Sequence, residues 1–197
     1  SWGRSIIMTN QGLFDAVVGA SHNDAAKNFI FPIEPLGFGN NQIYVAKDSS
    51  LQYIGIDSLK GLTLGVADNY SYTPLLDQYI ASHKNNPDVI QYVSSDTALL
   101  FNVKKLVNHR IDTLPEDQSV MAYFLLTHKE FAGEVKSAGD ANQGMTNLDR
   151  ELYVAFSPHN PNSPKYATIV SDGIVKLRKN GRLKTILAKY GLVDWVK

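Results

Sequence analysis

Leu62-Thr63-Leu64-Gly65-Val66-Ala67-Asp68-Asn69-Tyr70-Ser71-Tyr72-Thr73-Pro74-Leu75-Leu76 is a strand, a turn and a helix start in one run. The short apolar stretch Leu62 to Ala67 reads as a buried strand. Thr73 is a good N-cap, and Pro74 suits the first helical position because its missing N–H would be unpaired there anyway. Leu75, Leu76, Tyr79 and Ile80 then recur at helical spacing and predict one apolar face. A turn between a strand's carboxyl end and a helix N-terminus presents unpaired N–H groups and hydroxyls, an anion pocket in kind. Asn69 tolerates a left-handed backbone almost as glycine does. Tyr70 and Tyr72 add flat apolar surface with a polar tip. The alternative, that Thr73 does no more than cap the helix, stays open from sequence.

Outward from this run the same alternation continues. Trp2 to Asn10 predicts an amphipathic helix ended by Gly12, and Phe14 to Gly19 a short buried strand. Gln42 to Ala46 reads as a strand and Gly55 to Lys60 as a short helix. Val89 to Val93 is a strand, and Asp96 to Asn108 a helix with Leu99, Leu100, Val103 and Leu106 inward. Ile111 to Leu114 is a strand, Ser119 to His128 a helix, and Leu152 to Phe156 a strand. Tyr166 to Tyr190 forms one or two helices closed by Gly191. Strands alternating with helices of this length specify α/β layering with mostly parallel sheets. A weak internal echo places Asp15 and Asp112 each at the mouth of a short strand, as two similar lobes would.

The chain has 197 residues, enough for one large domain or two small ones. Lys and Arg balance Asp and Glu at 19 each, which argues against a nucleic-acid or membrane-surface partner needing a basic excess. Cysteine is absent, so disulfides, thiolate metal sites and Cys nucleophiles are excluded. No apolar run approaches a membrane span. No signal peptide precedes Ser1, and the chain opens on what reads as the inside of a helix, so the expectation is a natural N-terminus removed or absent. None of the 5 histidines (His22, His83, His109, His128, His159) is spaced i, i+4 with another, which removes a zinc helix. Gly19-Ala-Ser21-His22-Asn lacks the last glycine of a nucleophile elbow. Gly37-Phe-Gly39 precedes a strand, where a dinucleotide loop would follow one. Glu116 and Asp117 point to opposite faces of a strand and make a poor acid/base couple. The basic run Lys176 to Arg182 reads as a solvated helix end. Asp117 lies on the carboxyl side of its strand, where open α/β sheets hold ligands.

Several segments, in order, resemble the periplasmic solute-binding proteins of family 3, the amino-acid type that serves ABC transporters. Trp2-Gly-Arg4 to Gly12-Leu-Phe-Asp15-Ala-Val-Val-Gly19 looks like the helix and G-x-x-D-A strand of the first lobe. Phe29-Ile-Phe-Pro32 to Glu34-Pro35-Leu-Gly37 resembles its F-P-x-x-P-L-G turn. Ser58-Leu-Lys-Gly61-Leu-Thr-Leu-Gly65-Val66 is similar to D-L-K-G-K-x-V-G-V. Asn69-Tyr70-Ser71-Tyr72 occupies the place of the family's glycine–Ser/Thr ligand turn. Arg110-Ile111-Asp112 with Asp117 resembles G-R-x-D-A-x-x-x-D. Leu152 to Phe156 looks like a crossing strand, and Asn180-Gly181 to Tyr190-Gly191 like the terminal G-x-x-x-x-I-x-x-K-Y-G.

The resemblance implies an α/β, two-lobed periplasmic binding protein-like fold of type II, with lobe 1 lacking its N-terminal strand and helix. Lobe 1 would be 1–45 plus 155–197 and lobe 2 48–152, with hinge strands near 44–47 and 153–156. It implies a non-enzyme in the bacterial periplasm, a monomer without cofactor or metal. Such a protein binds a small polar, amino-acid-like solute between its lobes and passes it to an ABC transporter membrane subunit. The alternative is the ligand-sensing ectodomain of a signalling protein. The implied ligand contacts are Ser21, His22, Asn69, Tyr70, Ser71, Tyr72 and Asp117, with Asp117 on the ligand's ammonium. The family's carboxylate-gripping Arg falls in register on Ala25, with His22 at the companion Thr place. Only Lys27, Arg4 or a residue outside this chain could restore that charge, so the expected solute is not a standard α-amino acid held in the usual way.

Overall fold

The computed structural model describes residues 2–22 and 28–196. The chain runs α1 (Trp2–Asn10), β1 (Ala16–Ala20), β2 (Gly37–Phe38), β3 (Asn41–Ala46), β4 (Leu64–Ala67), α2 (Pro74–His83), β5 (Ile90–Val93) and α3 (Ala98–Val107). It continues through β6 (Leu114–Asp117), α4 (Gln118–Thr127), β7 (Val135–Asp140), α5 (Asn147–Arg150), β8 (Glu151–Phe156), α6 (Ser163–Lys179) and α7 (Arg182–Ala188). It divides into two compact units: a central one, residues 40–144, and a terminal one, residues 2–39 with 145–196.

In the central unit β3 pairs antiparallel with β6 on one side and β7 on the other. β4 and β5 are parallel, and β4 touches β6 through the parallel bridge Leu64–Thr113. The N–H of Gly65 donates to the Thr113 carbonyl at 2.9 Å. In a parallel ladder the next donor back to β4 would be the N–H of residue 115, and residue 115 is proline. The ladder therefore stops there, and β6 is held beyond that point by β3 alone. Apolar side chains seal both faces: Ile43, Leu64, Val66, Leu76 and Ile90 form one buried cluster, and Tyr44, Val103, Leu106, Leu114 and Met121 another. Burial of each large aliphatic side chain is worth about 1.5–3 kcal/mol.

In the terminal unit β8 lies between β1 and β2, antiparallel to both. Ile6, Val17, Ala20, Phe29 and Ala155 pack its core. Arg178 on α6 clamps the end of the chain, at 2.9 Å from Asp194 and 3.1 Å from Glu34, with its guanidinium 5.4 Å from the Trp195 ring. Asp15 and Asp112 do occupy equivalent places. Asp15 accepts from the Asn160 amide and Asp112 from the Thr63 N–H, each tying a strand entrance to a neighbouring segment.

Three expectations need correction. The strand placed at Ile111 to Leu114 runs instead over Leu114–Asp117, because β3 supplies its partners there and Pro115 lacks a partner only on the β4 side. The crossings placed in 44–47 and 153–156 lie instead at 39/40 and 144/145. Tyr44 to Ala46 and Tyr153 to Phe156 are ladder residues inside their own units, where paired backbone cannot turn from one to the other. Leu75, assigned to the inward face of α2, is 42% exposed. Strand β7 carries exposed Lys136 and Ser137 and a register shift, and its alternation does not announce a strand.

Candidate functional site

β4, β5 and β6 run in one direction, and helices α2, α3 and α4 each start at the carboxyl edge of these strands. Because β3 is antiparallel to β6 and β7, its first residues and the last residues of β7 reach the same edge. The fold thereby gathers the turn 68–73, Asn40 to Gln42, Glu116, Asp117 and Asp140 to Asn142.

Asn69 has the left-handed backbone expected of it, φ 57°. Thr73 caps α2 by accepting from the Leu76 N–H. The donors that this turn was expected to offer a ligand are engaged. The Ser71 hydroxyl donates to Asp77 Oδ2 at 2.5 Å and the Tyr72 N–H to Asp77 Oδ1 at 2.9 Å. Tyr72 is buried, its hydroxyl accepting from the Ala67 N–H at 2.9 Å, so it belongs to the core beneath the turn. Burial pushes its phenol well above the usual range. Tyr70 is exposed, its ring centroid 5.0 Å from that of Tyr72.

Asp117 caps α4. Its Oδ1 accepts from the N–H groups of Ser119 at 2.8 Å and Val120 at 3.3 Å, and its Oδ2 from the Asn40 N–H at 2.7 Å. The carboxylate thus ties the start of β3 to the start of α4. Asn41 links Asp117 to the turn: it is the cross-strand partner of Asp117, and its side-chain amide donates to the Tyr72 carbonyl at 3.0 Å. Buried Asn142 closes the network, accepting from the Asn41 N–H and donating to the Asn41 carbonyl and the Asn40 side chain. Glu116 is 9% exposed, and its Oε1 accepts from the Asp117 N–H at 2.8 Å. Burial, chiefly, pushes its carboxyl up to about 7; the hydrogen bond from Asp117 N–H opposes this and the Asp117 charge adds to it. Sequence reasoning missed Asn40, Asn41, Asp77 and Asn142. The run Gly39-Asn-Asn-Gln42 before a strand was the available signal for the first two.

In the terminal unit Ser21 and His22 follow the last residue of β1. The His22 ring lies 4.4 Å from Phe31 and 4.9 Å from Tyr153, centroid to centroid. The Tyr153 hydroxyl donates to Glu151 Oε2 at 2.6 Å. Arg4 is exposed on α1, while Ala25 and Lys27 lie outside the described residues. Pockets of 360 and 240 Å³ in the central unit include Lys84 and Asp112, at the opposite edge of the sheet, and none of the residues above. Among the described residues no group of three or more His, Cys, Asp or Glu is arranged to hold a metal ion.

No protein-family model matches the chain, and no curated protein does. Solved structures match along nearly its whole length. An ancestral arginine-binding protein bound to arginine is similar at 17% identity and a TM-score of 0.69, over 96% of this chain and 76% of that one. A structure from work on glutathione import through the cystine ABC importer of Streptococcus mutans matches at 16% identity and a TM-score of 0.73, over 96% and 74%. A histidine kinase sensor domain with similarity to periplasmic binding proteins matches at 16% and 0.71, over 96% and 75%. The fold is that of the periplasmic binding proteins. Within it the central unit's carboxyl edge is a site built from asparagines and carboxylates around a strand–turn–helix junction.

Proposed function

We propose that this chain is a solute-binding protein that takes a small polar, amino-acid-like molecule at the carboxyl edge of the central sheet and hands it to an ABC importer. The observation that carries the reading is the convergence of the turn 69–73, Asn41 and Asp117 on one edge of an open α/β sheet, in a fold that solved amino-acid-binding proteins share. Tyr70, Asn69 and the remaining acceptor capacity of Asp117 are the contacts on this side, and Ser21 and His22 those of the terminal unit. The protein works as a monomer in the periplasm and catalyses no reaction. Among the described residues no helix is long and apolar enough to cross a membrane.

A thermal-shift screen against amino acids, amines, organic acids and short peptides tests this. A ligand that binds only the native state adds about 2.7 kcal/mol at a hundredfold excess over Kd. A millimolar screen without any upward shift overturns the proposal. The match to a kinase sensor domain favours a second reading, a ligand-sensing module. Stimulation of an importer's ATPase by the loaded protein distinguishes transport from sensing.

A further inference from the structure

The carboxylate of Asp77 sits where the turn would hold an incoming anion. α2 begins at Pro74, so Asp77 lies one turn into the helix and reaches back over the helix start. Its two oxygens take the Ser71 hydroxyl at 2.5 Å and the Tyr72 N–H at 2.9 Å. A hydroxyl has one proton to donate and a backbone N–H one, so neither is left for a second carboxylate. Nothing cationic at this edge offers a substitute. Among the described residues 40–144, every Lys and Arg falls at the other edge of the sheet, from Lys47 just after β3 to Lys136 near the start of β7. A solute carboxylate arriving here would meet Asp77 and Asp117 and no basic partner, the arrangement by which binding sites reject a competitor.

We propose that Asp77 is a specificity determinant that closes the turn 69–73 to carboxylates, so that the solute is a cationic amine carrying no carboxylate. The proposal rests on the solute-binding reading above and names its substrate class. Repulsion between like charges excludes the carboxylate, and Asp117, with three N–H donors already on it, keeps acceptor capacity toward an ammonium. The bland role, a reach-back that only stiffens the start of α2, predicts a loss of stability on substitution but no change in which ligands bind.

The test compares amino acids with the amines left when their carboxylate is removed: L-arginine with agmatine, L-lysine with cadaverine, L-histidine with histamine. Calorimetry is run on the intact chain, on Asp77→Ser, and on the milder Asp77→Asn should the first fail to fold. The wild type is expected to bind one of the amines at least about tenfold more tightly than its amino acid, a difference of about 1.4 kcal/mol. Asp77→Ser is expected to shrink that ratio by about tenfold or more, by gain of amino-acid affinity, with Asp77→Asn moving the same way. Equal or tighter binding of the amino acid by the wild type overturns the inference, as does a ratio unmoved by both substitutions, or a screen whose hits are uncharged or acidic. In those cases solute binding itself stands. Absence of binding by every compound of both panels removes the solute-binding reading and this inference with it.

Discussion

Glu116 makes the stability of the central unit depend on pH in a direction opposite to that of an ordinary surface carboxylate. It is 9% exposed on β6, and burial is the main reason its carboxyl titrates near 7 instead of at its ordinary 4.5. The Asp117 carboxylate beside it and the Tyr44 and Tyr72 phenols are the titratable groups that sense it, and both phenols stay neutral through this range. A raised native value means that between pH 4.5 and about 7 the folded chain holds a proton the unfolded chain has lost. Stability contributed by this group is then full below 4.5 and falls as pH rises through the window. That gap, at about 1.4 kcal/mol per pH unit, comes to about 3 kcal/mol. Glu116→Gln keeps the oxygen that accepts from the Asp117 N–H and removes the titration. Urea unfolding should find the variant about as stable as the wild type at pH 4.5, and about 2–3 kcal/mol more stable at pH 8. Parallel pH profiles for the two proteins would refute the reasoning, because a carboxyl that titrated normally would leave no pH-dependent difference.

Asp117→Ala removes an N-cap and the tie to Asn40, and should cost about 2–3 kcal/mol in urea unfolding. Asp117→Asn, which still caps but cannot accept from Asn40 with its amide nitrogen, should cost about half as much and weaken a cationic solute by about 1.5–3 kcal/mol in calorimetry. Gly139→Ala should destabilise by about 3 kcal/mol or more in the same assay, since φ is +154° and a Cβ would lie 2.3 Å from the Tyr53 carbonyl oxygen. Arg178→Ala should free the chain end around Trp195, cost about 2–4 kcal/mol, and shift tryptophan emission to the red. Arg178 holds the Asp194 carboxyl below its ordinary range, so the wild-type advantage over this variant should persist at neutral pH and fade only in acid.

Which parts of the architecture could be read in advance follows from where the signal is local. The strand–turn–helix at Leu64 to His83 carries its own punctuation: an apolar run, an Asn at positive φ, a Thr cap and a Pro at the first helical position. Helices α1 and α3 follow from apolar spacing alone, and the left-handed glycines 12 and 191 mark helix ends. β6 was misplaced because Pro115 reads as a strand breaker, and only the identity of the neighbour on each side shows that the missing N–H matters toward β4 and not toward β3. β7 hides for a similar reason. Its Gly139 is needed for the close approach of Tyr53, a contact 86 residues away in sequence that no local pattern records.

The site was half legible for a reason that concerns hydrogen bonds more than fold. Residue type and position put Ser71, Tyr72 and Asp117 at a ligand-competent edge, and the structure does place them there. Whether a donor is available depends on what else competes for it, and the competitor can come from one helical turn away. Asp77 was visible only as a polar residue in an amphipathic helix, yet it takes both donors of the turn. Likewise Asp117, assigned to a ligand ammonium, spends most of its acceptor capacity on three backbone N–H groups of α4 and β3. The two carboxylates therefore play different parts. Asp77 consumes donors and so subtracts a ligand class. Asp117 fixes the frame and keeps capacity at one oxygen, enough for one ammonium hydrogen. A site with no donor to spare and an acceptor still open is selective for cations before any ligand is named, and the amine series measures that selectivity directly.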